Sequence, residues 1–124
     1  MKKFLIFTAL ILVGGMAFVV PYASADAAKG EALFNDKGKS KCLACHAIGK
    51  KVVGPDLAGV SKRHTQPWLV KWITDAQGTW ASADSETTEL KARVHKEKAP
   101  KPAHAPPPLT AEQAGDLADF LMTK

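Results

Sequence analysis

Residues 42–46 read Cys42-Leu43-Ala44-Cys45-His46, the C-x-x-C-H spacing at which a polypeptide is fastened to a haem. Two thiols so placed reach the two vinyl groups of one haem. The histidine directly after the second cysteine then falls beneath the iron as its proximal ligand. Covalent attachment keeps the group in place when the pocket is small and partly open. A thioredoxin-like pair of thiols needs a βαβ context that the sequence lacks. A zinc site needs further cysteines or histidines at zinc-like spacing. These are the only two cysteines in the chain, so once both are thioethers no disulfide remains.

An iron held by His46 has a second axial position. His64, His95 and His104 are the other histidines, and each is a candidate for it, as is water or an open site. The charge pattern concerns partners. The chain carries a net charge of +5; two positive charges, Lys2 and Lys3, lie at the extreme N-terminus, and two ionised haem propionates would bring the remainder close to neutral. Lys37, Lys39, Lys41, Lys50 and Lys51 flank the C-x-x-C-H run with no acidic residue between Lys37 and Lys51. A lysine collar around an exposed haem edge attracts and orients an acidic protein redox partner; the plainer role of such a face is solubility. No aromatic residues are interleaved with these lysines, and nucleic-acid binding is not expected.

The elements that must position these groups begin after a leader. Lys2 and Lys3 precede an uncharged apolar run from Phe4 to Phe18, and Ala23-Ser24-Ala25 is a small-residue cleavage site. That is the layout of a secretory signal peptide, which places the working protein in the periplasm. Residues 1–25 are predicted to be removed and residues 26–124 to form one small domain; membrane association is expected only if the leader is retained. A domain of this size buries little apolar surface and depends on its cofactor for a core.

Within the domain, Ala27 to Phe34 reads as a helix with Leu33 and Phe34 inward, and 35–40 as a loop. Gly54-Pro55 and Gly59 make 50–63 irregular. A helix starts at Thr65-Gln66-Pro67, with Trp68/Trp72 and Leu69/Ile73 as i,i+4 pairs on an apolar face. Residues 77–84 are predicted to be a loop, and Ser85 to cap a helix ending near His95. Five prolines between Ala99 and Pro108 exclude helix there. Thr110-Ala111-Glu112-Gln113 is a capping box opening a last helix with Leu117, Phe120 and Leu121 as its buried stripe. No segment has strand periodicity. The fold class is all-α, with three to five helices around one haem.

These features together resemble the class I bacterial cytochrome c family over nearly all of residues 26–124. Gly30 and Phe34 match the glycine and aromatic of the family's first helix, and Phe120 the aromatic of its last. The resemblance implies that these helices cross closely at the glycine. Gly54-Pro55-Asp56-Leu57 matches the family's Gly-Pro-x-Leu. It implies that the Pro55 carbonyl accepts a hydrogen bond from His46, fixing its tautomer, and that Leu57 packs on the haem. The family's second axial ligand is a methionine about six residues before the Ser/Thr that opens the last helix. Here that residue is His104, and the one methionine beyond the leader, Met122, lies inside the last helix. The cofactor-binding set is therefore Cys42, Cys45, His46, Pro55, Leu57 and His104, with His46 and His104 on the iron. His95 is a weaker candidate, and His64 is expected at the surface.

The resemblance implies a periplasmic electron carrier, not an enzyme, acting as a monomer or weak dimer. Exchange of thioether for imidazole lowers the potential, on the order of a hundred millivolts within the range that axial ligands span. Two other classes remain open from sequence: a haem protein that binds NO or CO if His104 can leave, and a haem subunit of a larger redox enzyme. Arg63 and His64 adjoin but have no assigned place, and Trp68, Trp72 and Trp80 are expected in the core or beside the propionates.

Overall fold

A computed structural model describes residues 26–124; the leader expected at 1–25 lies outside the described residues. Five helices make up the regular structure, with no strand among the described residues: α1 (Ala27–Asn35), α2 (Gln66–Thr74), α3 (Ala76–Ala81), α4 (Ser85–Arg93) and α5 (Ala111–Leu121). Two single 3-10 turns, Cys42–Ala44 and Val60–Lys62, lie between α1 and α2. No described helix is long and apolar enough to cross a membrane.

The terminal helices α1 and α5 form the frame. Asp26 caps α1 by accepting from the Ala28 and Lys29 amides. The Thr110–Gln113 capping box is present at the start of α5, satisfying two amides that a helix start leaves free. The helices cross at Gly30, where a Cβ would collide with the backbone carbonyl of Asp116 and with Phe120. Only glycine allows that approach. Phe34 and Phe120 meet beside it with ring centroids 5.4 Å apart, and the Asp26 amide donates to Asp116 Oδ1 at 2.7 Å.

Helix α2 packs on α5, burying Trp68, Leu69 and Ile73. The stretch 77–84, expected to be loop, is helical up to Ala81. Asp75 closes α2 and caps α3 by accepting from the Gly78 amide, so one residue bends the chain between two helices and glycine does not break the second. Asp84, not Ser85, caps α4 through the Thr87 amide. Burial works to raise the Asp84 carboxyl. Hydrogen bonds from the Ser82 hydroxyl and from the Thr87 amide and hydroxyl prevail and hold it at about 2. Helix α4 ends at Arg93, and His95 follows with a left-handed φ of 55°.

Thr87, fully buried, ties three helices together: it receives the Trp68 indole N–H at 3.1 Å and sits 3.2 Å from the Thr79 carbonyl. The Trp80 indole donates to the Ala99 carbonyl at 2.9 Å, fastening the start of the proline-rich segment to α3.

Candidate functional site

Residues 42–46 fold as one turn. The amides of Cys45 and His46 both donate to the Cys42 carbonyl, at 3.1 and 2.9 Å, with Lys41 in the left-handed region before them. The turn puts Cys42 and His46 on the wall of one cleft, while Cys45 is not among its lining residues. Cys42 is half-buried and Cys45 exposed; burial pushes the Cys42 thiol up.

The chain from 49 to 58 then wraps the imidazole. The Gly54 amide donates to the Cys45 carbonyl at 2.7 Å and the Leu57 amide to the Ala47 carbonyl at 3.1 Å. The Asp56 carboxylate accepts from the amides of Gly49 and Ala58, each at 2.8 Å. His46 Nδ1 lies 3.0 Å from the Pro55 carbonyl. A carbonyl can only accept, so Nδ1 carries the proton and Nε2 is free to bind a metal. Gly54 lies flat behind the ring; a Cβ there would collide with His46 Cε1.

An apolar cleft opens over this ring. Its walls include Leu57 and Val60 from the loop, Phe34 from α1, Leu69 and Ile73 from α2, and Leu117 and Leu121 from α5. His104 closes the far side: its ring centroid is 6.0 Å from that of His46, with the planes 64° apart. Metal–imidazole bonds are about 2.0 Å, so two rings at this spacing leave room for one ion between them. His104 stacks on Trp72, centroids 5.1 Å apart and planes within 16°. Its Nδ1 is buried and has no hydrogen-bond partner among the described residues. Burial, and then the nearby His46 ring, lowers its pKa to about 4. The imidazole is thus neutral at physiological pH and offers a lone pair.

Among the described residues no group of three or more His, Cys, Asp or Glu is placed to hold a metal ion. Two imidazoles alone are a weak site. The remaining ligands have to arrive with the metal, as the nitrogens of a porphyrin do, and the apolar walls and adjacent cysteines suit that group.

The other histidines differ. His95 is exposed beyond α4 and does not line the cleft. His64, expected at the surface, is instead only 5% exposed and does line the cleft. It stacks on Trp68 with centroids 4.0 Å apart, Nδ1 lies 3.3 Å from Glu86 Oε2, and Nε2 accepts from Arg93 at 2.9 Å. Burial and the Arg93 charge lower its pKa against the pull of Glu86. No local pattern announces its burial: His64 precedes the Thr65 cap of α2 and is enclosed only where Glu86 and Arg93 of α4 reach it.

Sequence reasoning also left Arg63 and Arg93 without a role. Both line the cleft, and the Nε–H of each is buried without a partner. Arg63 is aimed by its bonds to the carbonyls of Ala58 and Asp56, at 3.0 and 3.2 Å. Two half-buried arginines in the lining of an apolar cleft, Arg93 also 3.9 Å from Glu89, suit a ligand that is apolar in the middle and anionic at its rim. The five lysines of the collar are all exposed. So are Ile48, Val52 and Val53, the last by 77%.

Comparison with known proteins agrees with this chemistry. The family model described as cytochrome c matches residues 27–124. Cytochrome c-551 of Stutzerimonas stutzeri is 31% identical over 123 residues, covering 99% of this chain and 98% of its own. Cytochrome c2 of Blastochloris viridis is 46% identical over 52 residues, 40% of this chain and 37% of its own.

Proposed function

The chain belongs to the cytochrome c family, and from that membership we propose that it carries single electrons between protein partners in the periplasm, on a low-potential haem whose iron is held by His46 and His104. It is an electron-transfer protein and not an enzyme, and its cofactor is covalent haem c. Bound at Cys42 and Cys45, that group supplies a one-electron iron couple. The 6.0 Å separation of the two imidazoles across the cleft is the observation that carries the axial assignment.

The residues around it perform distinct tasks. Cys42 and Cys45 retain the group. Pro55 orients His46 and increases its donor strength. Leu57 and the α2 and α5 side chains exclude water from the cleft, and Arg63 and Arg93 offer their buried Nε–H groups to the propionates. With haem bound, His46 and His104 would both hold its iron and leave no open site for substrate, and the chemistry it would supply is one-electron transfer. Imidazole in place of a thioether lowers the potential, on the order of a hundred millivolts. Lys50 and Lys51 directly precede the exposed Val52 and Val53, and with Lys37, Lys39 and Lys41 they would offer an acidic partner a docking face, where charge steers the encounter and a small apolar patch makes contact.

The electronic and EPR spectra of the oxidised protein test the ligation. A low-spin bis-imidazole signal is expected, converting to high spin in His104→Ala; an unchanged ferric spectrum in that variant removes His104 from the iron. The unpartnered Nδ1 of His104 favours a second reading, in which this ligand yields to NO or CO. Adding CO to the reduced protein distinguishes the two: a carrier keeps its spectrum, a gas-binding protein does not.

A further inference from the structure

The plane of His104 is set from outside its own segment. Residues 106–108 are all proline and have no N–H to offer an imidazole, and Nδ1 of His104 is buried without a partner. The contact that does define the ring is Trp72, whose indole lies 5.1 Å away and within 16° of parallel. Trp72 is itself well fixed. Trp68 stacks on it at 5.4 Å and 8°, and Trp80 leans on it at 6.1 Å. Trp68 is pinned by its bond to Thr87 and backed by His64 at 4.0 Å and 15°. Trp80 is pinned to Ala99. His64, Trp68, Trp72 and His104 thus form one stacked column along the side of α2.

We propose that Trp72 is a positioning residue for the distal ligand, its indole face fixing the plane of the His104 imidazole as the Pro55 carbonyl fixes that of His46. The proposal rests on the reading of His104 as an iron ligand. Stacking resists rotation of the ring about its bond to a metal, because turning it forfeits the face-to-face contact. The column therefore transfers the rigidity of a helix to a ligand borne on an irregular segment, and holds the two imidazole planes at the 64° they show.

The angle between two axial imidazoles shapes the ferric EPR spectrum: widely crossed planes give a strongly anisotropic low-spin signal and parallel planes a rhombic one. The test uses the intact holoprotein. Wild type is expected to show the anisotropic signal, and Trp72→Phe, which keeps a flat face, to retain it. Trp72→Leu is expected to give a rhombic or mixed signal and to bind CO in the reduced state, which wild type does not. If the leucine variant does not accumulate with haem, Trp72→Ile, which has bulk but no flat face and no iron-binding atom, replaces it. Wild-type g values without CO binding in the leucine or isoleucine variant overturn the proposal. A wild-type spectrum without two imidazoles overturns the parent reading by itself, before any variant is made.

Discussion

The two histidines that face each other across the cleft are held by different means. On the His46 side, the ligand, its attachment cysteines and its hydrogen-bond acceptor lie within residues 42–55, and short backbone bonds such as Gly54 to Cys45 close the loop. On the His104 side, the supports come from far along the chain: the Trp72 face and the Trp80 indole that fastens Ala99. One side is a local motif that folds around itself. The other is a segment without helix, positioned by tertiary contacts. A local motif writes its function into consecutive residues, whereas a tertiary one distributes it over α2, α3 and the chain between α4 and α5.

The largest effects should separate the two sides outright. His46→Ala is expected to abolish recovery of low-spin holoprotein, while His104→Ala should still be isolated with covalent haem but in a high-spin state. Haem content and the Soret spectrum of the purified variants decide this; equal loss of haem in both would erase the distinction. Next comes Gly54→Ala. Its methyl collides with a ring that Pro55 prevents from moving, so overpacking of about 1–3 kcal/mol is expected. Thermal unfolding of the holoprotein measures it, and a melting temperature equal to wild type would show that the proximal loop gives way.

Trp80→Phe loosens the distal side with a smaller effect. It removes the N–H that reaches Ala99 and some buried ring, at about 1–2 kcal/mol. The melting temperature should fall by several degrees, with some CO binding to the reduced form where wild type shows none. The smallest effect is at Asp84, which reaches the distal side only at second hand, through Thr87 and Trp68. Its carboxyl sits at about 2 in the folded chain against 3.8 as the ordinary value. A depressed folded value means that its contribution is complete above about pH 4 and is lost as pH falls toward 2. Asp84→Asn should therefore flatten the stability profile between those limits and leave the ferric spectrum unchanged. A spectral shift in that variant would show that a change at the α4 cap is passed through Thr87 and Trp68 to the ligands.

Legibility from sequence follows the same division. Cys42, Cys45 and His46 were readable because covalent attachment demands adjacency, and Gly30 because a close helix crossing tolerates no side chain. Thr110 to Gln113 announced α5 through a hydrogen-bond pattern confined to four residues. Helix α3 was missed because Gly78 reads as a breaker, while the Asp75 carboxylate that accepts its amide also lies next to the end of α2. Asp84 and Ser85 are both competent caps, and their order alone does not choose between them. The burial of His64 and the placing of Arg63 and Arg93 at the cleft depend on α2 and α4 converging there, which no local pattern expresses. Trp72 was legible as apolar surface but not as the neighbour of His104, 32 residues later by their numbers.

The bond between the backbone nitrogen of Asp26 and the buried Asp116 carboxylate bears on maturation. Proteolysis after Ala25 would turn that nitrogen from a neutral amide into an α-ammonium. The carboxylate would then receive a charge-assisted bond, roughly twice as strong as a neutral one. Release of the leader and tightening of the seam between the first and last helices would be a single chemical event, so that the freed protein is sturdier than its precursor.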